Sequence, residues 1–162
     1  MKIRMSLSPS SIDAAIKQLD DYCKDIDRKM NELAQRLASM GATEVSLGFS
    51  RAIYTGPMDY DVTVEDMGNN KYRIIVSGET ILFVEFGAGI TYGKGHPLDA
   101  QFGYGPGTYP GQTHAMTGKG WYLPKDKGGG HTYGNPPNMP MYNTAKDLRK
   151  EILNVAREVF NS

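Results

Sequence analysis

Apolar residues fall at Ile12, Ile16, Leu19, Cys23, Ile26, Met30, Leu33, Leu37 and Met40. The steps between them alternate four and three without a break, which is the a/d seam of a heptad pattern. This seam predicts an amphipathic helix over 11–40. Pro9 precedes it, Ser10 or Ser11 can cap its first turn, and Gly41 stands in the usual place just past a helix end. At about 1.5 Å per residue the helix would be roughly 45 Å long, more than one small core needs. A seam this strict is also narrower than an ordinary core-facing stripe. Two readings therefore stand. The helix packs on its own sheet, or it also meets a neighbouring subunit. Cys23 lies on the seam and reads as a small buried hydrophobe.

The period then changes. Val45, Leu47 and Phe49 alternate with polar residues, and Ile53 keeps the phase. Val62 and Val64 alternate again in YDVTVED, MGNN supplies a turn at 67–70, and KYRIIVSG follows as a second strand, so this stretch reads as a hairpin. The apolar block in ETILFVEFG fits a short helix or a buried strand, and periodicity does not decide between them. Near the end of the chain Ala145, Leu148, Ile152, Val155 and Val159 form one stripe. It predicts a helix over 143–160, with Thr144 and Asp147 as a capping pair. The order is a long helix, three or four strands over 43–86, a long loop over 87–140, and a helix. That order predicts a single α+β domain with both helices on one face of a small antiparallel sheet.

The loop differs in composition from everything around it. It holds 14 of the 19 glycines and seven of the nine prolines, so it cannot carry long regular elements. It also holds the only tryptophan, all three histidines, and the aromatics Tyr92, Phe102, Tyr104, Tyr109, Trp121, Tyr122 and Tyr133. Disordered segments are usually poor in aromatics. A long loop rich in them is expected to be ordered, at least against a partner. Tyrosine and tryptophan between glycines suit a protein interface, and they suit a sugar-binding platform equally well.

Size and charge narrow the classes. The chain has 162 residues, enough for a core without metals or disulfides. Eighteen basic and 18 acidic residues give a formal net charge of zero with the signs interspersed. That argues against a dedicated nucleic-acid binder. A single cysteine allows no internal disulfide and fits a reducing, cytoplasmic origin. MKIRMSLSPSS has no apolar stretch of the kind a secretory signal carries. The longest run of purely aliphatic or aromatic residues, Ile81 to Val84, is far too short to span a membrane.

Tests for chemistry give little. His96, His114 and His131 are 18 and 17 residues apart, without the helical spacing of a zinc site. Asp99 and Asp126 could join them, but the plainer reading is loop histidines bonded to the backbone. GAGITYGKG is no P-loop, because Ala88 replaces the first glycine and Gly95 replaces the serine or threonine after Lys94. Gly118-Lys119 fails in the same way, with Thr113 and Gly120 in those places. No G-x-S-x-G elbow is present. Glu85, between Val84 and Phe86, could be an acid with a raised pKa, or could face water or an arginine at the end of a buried element. No catalytic residue, metal or cofactor is assigned.

ILFVEFGAG at 81–89 resembles the signature of a phage protein family in which a short apolar block ends in E-F-G, then a small residue and a glycine. GYGPGTYPGQTHA, GKGWYLP and HTYGNPPNMPMYNTAKDLRKEI are similar to the version found in prophages of Gram-positive bacteria. This is the tail-component, or neck and tail-completion, family of long-tailed phages, whose members are sometimes labelled minor capsid proteins. The resemblance covers most of the chain, and it rests on the order and spacing of its blocks. Two positions depart from the pattern. Ala88 replaces the usual threonine after E-F-G, and Pro140-Met141-Tyr142-Asn143 replaces a Pro-Phe-hydrophobic-Arg-Pro start to the last helix, without the arginine.

The resemblance implies a structural virion protein at the head–tail joint, assembled in the bacterial cytoplasm. It would form a ring with copies of itself and contact neighbouring neck or tail proteins, with no membrane, sequence-specific nucleic acid or catalysis. The glycine-rich segment then becomes a docking loop with Tyr104, Tyr109, Trp121 and Tyr122 as its anchors. Glu85, Phe86, Gly87 and Gly89, with Pro140 and Met141, become a structural motif. In it Phe86 fills core and Gly87 lets the chain turn. Two other readings remain: a module that binds cell-wall carbohydrate through the aromatic loop, and a small metal-dependent hydrolase using the three histidines.

Overall fold

The computed structural model describes residues 2–54, 56–89, 95–102 and 119–161. Helix α1 runs from Pro9 to Ser50. Ser8 is its cap, with its hydroxyl accepting the Ser11 N–H at 3.4 Å. The cap therefore sits earlier than Ser10 or Ser11, because Pro9 takes the first helical position, where its missing N–H costs nothing.

The other end of α1 corrects the expected boundary at 40. Gly41 does not stop the helix, which continues for more than two further turns and takes in the residues expected to begin the sheet. Val45 and Phe49, four apart, lie on one helical face at 1% and 0% exposure, while Leu47 between them is 39% exposed. Three alternating apolar residues satisfied period two by coincidence. Gly41 serves close packing instead. A Cβ there would lie 2.5 Å from Cδ1 of Ile74 and 2.8 Å from Cδ1 of Leu148.

The hairpin forms as expected, with β1 (Asp61–Asp66) antiparallel to β2 (Tyr72–Ser77) and Val62 opposite Val76. Gly68, Asn69 and Asn70 all have positive φ in the turn, and the Asp66 carboxylate accepts the Gly68 N–H at 2.8 Å. Glycine and asparagine are the residues that tolerate this backbone. The apolar block becomes the short helix α2 (Ile81–Phe86). Val45, Phe49, Ile81 and Val84 form the core, walled by Tyr60, Val62, Val76 and Met141 among others. The rings of Phe49 and Tyr60 stack at 5.2 Å.

Within the long segment the described residues carry short elements: α3 (Asp99–Phe102), β3 (Trp121–Tyr122), a 3₁₀ turn (Lys125–Lys127) and β4 (His131–Thr132). β3 and β4 pair antiparallel with each other, so the strands make two separate pairs instead of one sheet. Helix α4 runs from Pro140 to Asn161. It starts three residues before the expected 143, and Thr144 is buried inside it rather than capping it.

The fold is α+β, with α4 lying antiparallel along α1. Pro140 sits against Gly48, Leu148 against Gly41, Glu158 near Arg36 at 3.7 Å, and the Phe160 carbonyl accepts from Lys29 Nζ at 3.4 Å. The chief support of α4 is therefore α1, with the hairpin beside them. α4 ends at Asn161, level with Lys29. Residues 9–28 of α1 run on past it for about 30 Å. In this arm Ala15 alone is buried; Ile12, Ile16, Leu19 and Tyr22 are exposed, and so is Cys23, against the expectation of burial. The seam is continuous, but it is covered only in part: Leu33 and Leu37 are half-buried, while Met30 and Met40 stay exposed.

Candidate functional site

The E-F-G block and the Pro-Met pair, more than 50 residues apart in sequence, meet at the start of α4. Met139, in the left-handed region at φ 57°, precedes Pro140, and its carbonyl accepts the Asn143 N–H at 2.9 Å. Methionine offers no oxygen to cap the helix. Glu85 supplies the acceptors from α2: Oε2 takes the Met141 N–H and Oε1 the Tyr142 N–H, both at 2.9 Å. A carboxylate at a helix N-terminus also complements the positive end of the helix dipole.

His96 completes this cluster. Its Nδ1 accepts the Leu98 N–H at 3.1 Å, so the ring hydrogen sits on Nε2 and is donated to Glu85 Oε1 at 3.2 Å. The imidazole packs beside Phe86, with ring centroids 4.5 Å apart, and edge-on to Tyr142 at 5.1 Å. Glu85 is 5% exposed, and both its oxygens are occupied. Its role here is to hold α2 to α4. Buried and bonded to His96, Met141 and Tyr142, it does not face water or an arginine, two of the settings expected of it.

Two asparagines finish the junction. Asn135 pairs its backbone with Ala88 in both directions, at 2.9 and 3.0 Å, and its side chain donates to the Phe83 carbonyl at 2.8 Å. Asn138 donates its N–H to the Val84 carbonyl at 2.9 Å, while its side chain both accepts from and donates to the backbone of Ile53. Between them stand Pro136 and Pro137, which have no N–H to give. Gly87 has φ 83°, and a Cβ on it would lie 2.8 Å from the Pro137 nitrogen. Sequence reasoning overlooked Asn135, Asn138 and the part of His96. N-P-P-N carried a usable signal, since a buried turn through two prolines needs side chains to satisfy its neighbours.

Of the four aromatic anchors, Tyr104 and Tyr109 lie outside the described residues, as do Tyr92 and His114. Trp121 and Tyr122 lie side by side on β3. The Trp121 ring leans on the backbone at Gly89, where a Cβ would come within 3.2 Å of it. Trp121 is thus partly used within its own fold. Tyr122 is 78% exposed and starts an edge-to-face ladder: Tyr122 to His131 at 5.0 Å, then His131 to Tyr133 at 4.8 Å. His131 Nε2 donates to the Lys119 carbonyl at 2.9 Å, which fixes the ring in the ladder. Tyr133 and His131 are the members of this surface that the choice of anchors missed.

Asp99 lies beside the cluster, its N–H bonded to the His96 carbonyl at 3.0 Å. Its Oδ1 is buried without a hydrogen-bond partner among the described residues. Burial pushes its carboxyl above the ordinary aspartate range, against a smaller downward pull from His96. Among the described residues no three of His, Cys, Asp and Glu gather as metal ligands. Among them, too, no helix is long and apolar enough to cross a membrane. No family model, curated protein or solved structure matches the chain.

Proposed function

We propose that this chain is a structural virion protein of a long-tailed phage or prophage, working where head and tail join. It acts by assembly with further copies and with neighbouring neck or tail proteins. The observation that carries this reading is the division of α1. Val45 and Phe49 near its C-terminal end join the protomer core, while Ile12, Ile16 and Leu19 in residues 9–28, and Met30 and Met40 beyond them, leave seam positions exposed. A seam of this regularity is suited to another protein surface. The Glu85 junction adds support. It gives the E-F-G and Pro-Met blocks, two of the blocks that the family resemblance covers, a shared structural task.

The test is location. Purified virions are labelled with gold-conjugated antibody against this protein and imaged by electron microscopy. Label at the head–tail joint is the expected result. Label along the tail shaft, or on no part of the particle, contradicts the assignment.

A carbohydrate-binding module is the second reading, favoured by the exposed Tyr122–His131–Tyr133 ladder. Aromatic faces of this kind can stack on sugar rings. Retention of the purified protein on cell-wall glycan, lost in Tyr122→Ala, would favour it over the neck assignment.

A further inference from the structure

The open half of α1 has a chemical bias. Asp13, Asp20 and Asp27 recur every seven residues along the flank next to the seam, while Lys17 and Lys24 lie farther round the helix. These three acids are exposed and make no ion pair among the described residues, whereas Asp25 is held by Arg28 at 2.7 Å. The arm is thus an apolar strip of Ile12, Ile16 and Leu19 with an acidic border.

The outer face of α4 has the opposite bias. Leu153, 65% exposed, points away from the buried Val155 and Val159. At 3.6 residues per turn, Lys146, Arg149, Lys150 and Arg157 all fall within about 60° of it. The three acids of α4 lie outside that face and are engaged: Asp147 with Lys150 at 2.6 Å, Glu151 with Asn154 at 2.9 Å, and Glu158 near Arg36. Arg149 and Arg157 make no ion pair among the described residues. The outer face of α4 is thus an exposed leucine set among basic side chains, with Lys150 and Arg157 one heptad apart.

We infer that residues 9–28 of one copy dock on the outer face of α4 of a second copy, the acidic border of the arm against the basic border of α4. The occupant is a second copy because the arm cannot serve its own α4. It is the straight continuation of the helix that covers the inner face of α4. One surface meets a different surface, so each copy keeps a free arm and a free face, and the contact propagates until it closes. This rests on the reading of the chain as an assembly protein and names the two surfaces it uses.

The test uses the full chain and two charge reversals on exposed positions, followed by sedimentation velocity. One variant carries Asp13→Lys, Asp20→Lys and Asp27→Lys; the other carries Arg149→Glu, Lys150→Glu and Arg157→Glu. Circular dichroism checks that each is folded. The wild type is expected to self-associate, less so at high salt. Each variant alone is expected to associate at least about tenfold more weakly, and an equimolar mixture of the two should regain association, because opposite borders then meet again. A monomeric wild type overturns the contact, as does a mixture that stays dissociated. Loss in the arm variant with no loss in the α4 variant also overturns it, since the arms would then be pairing with each other. Failure here leaves the gold label at the joint untouched, so the two readings fail separately.

Discussion

Glu85 shows how one residue can settle a junction. Its two oxygens stand in for the cap that Met139 cannot supply, and a third donor, His96, holds the carboxylate in place. Glu85→Gln replaces one acceptor oxygen with an amide donor that must face an N–H. The expected cost is about 2 kcal/mol of stability, in the range of a lost cap with a buried polar group left unmatched. Denaturant unfolding measures it, and hydrogen exchange should show the first turn of α4 opening sooner. Unchanged stability would mean that the junction is held by packing alone. Asp99 works in the other direction. Its carboxyl binds a proton more tightly in the folded than in the unfolded chain, because burial raises its pKa. The stability it contributes is full below the unfolded value, near 3.9, and is lost as pH rises through the folded value. Asp99→Asn should therefore melt higher than wild type at pH 7, with the difference fading towards pH 3. A variant that melts lower at pH 7 would show that the carboxylate has a favourable partner.

At the scale of elements, α1 is the informative case. Gly41 lets the helix pass beneath Ile74 and Leu148, and the propensity cost of a mid-helix glycine, about 1 kcal/mol, is offset by that close approach. Gly41→Val should cost about 2 kcal/mol by overpacking, measured by thermal unfolding. A more stable variant would remove the packing argument. This glycine also marks where sequence reading stopped being sufficient. The long helix, the hairpin with its turn, and the closing helix were all legible, because their periods extend over many residues. The helix end at Ser50 was not. Gly41 is the residue expected at a helix end, and V-S-L-G-F satisfies strand and helix periods alike over so short a span. The cap of α4 was illegible for a different reason. It comes from Glu85 on α2, and no local pattern around Pro140 contains it. The unusual weight of aromatics in the glycine-rich segment was visible. Which of them would form a ladder depended on the pairing of β3 with β4, a register of two residues that leaves no periodic trace.

The whole molecule divides into a finished part and an unfinished one. The second half of α1, the hairpin, α2 and α4 enclose a core around Val45, Phe49, Ile81 and Val84. Beyond it stand an arm of about 30 Å with exposed seam residues, an outer face of α4 whose Arg149 and Arg157 make no ion pair among the described residues, and an exposed ribbon of Tyr122, His131 and Tyr133. Such surfaces suit a protomer completed by neighbours. The proposed role in joining heads to tails is tested by particle morphology after deletion of the gene from the phage or prophage genome that carries it. Electron microscopy of the induced particles should show DNA-filled heads lying beside separate tails, with joined virions restored when the gene is supplied in trans. Normal, intact virions in the deletion would contradict the account.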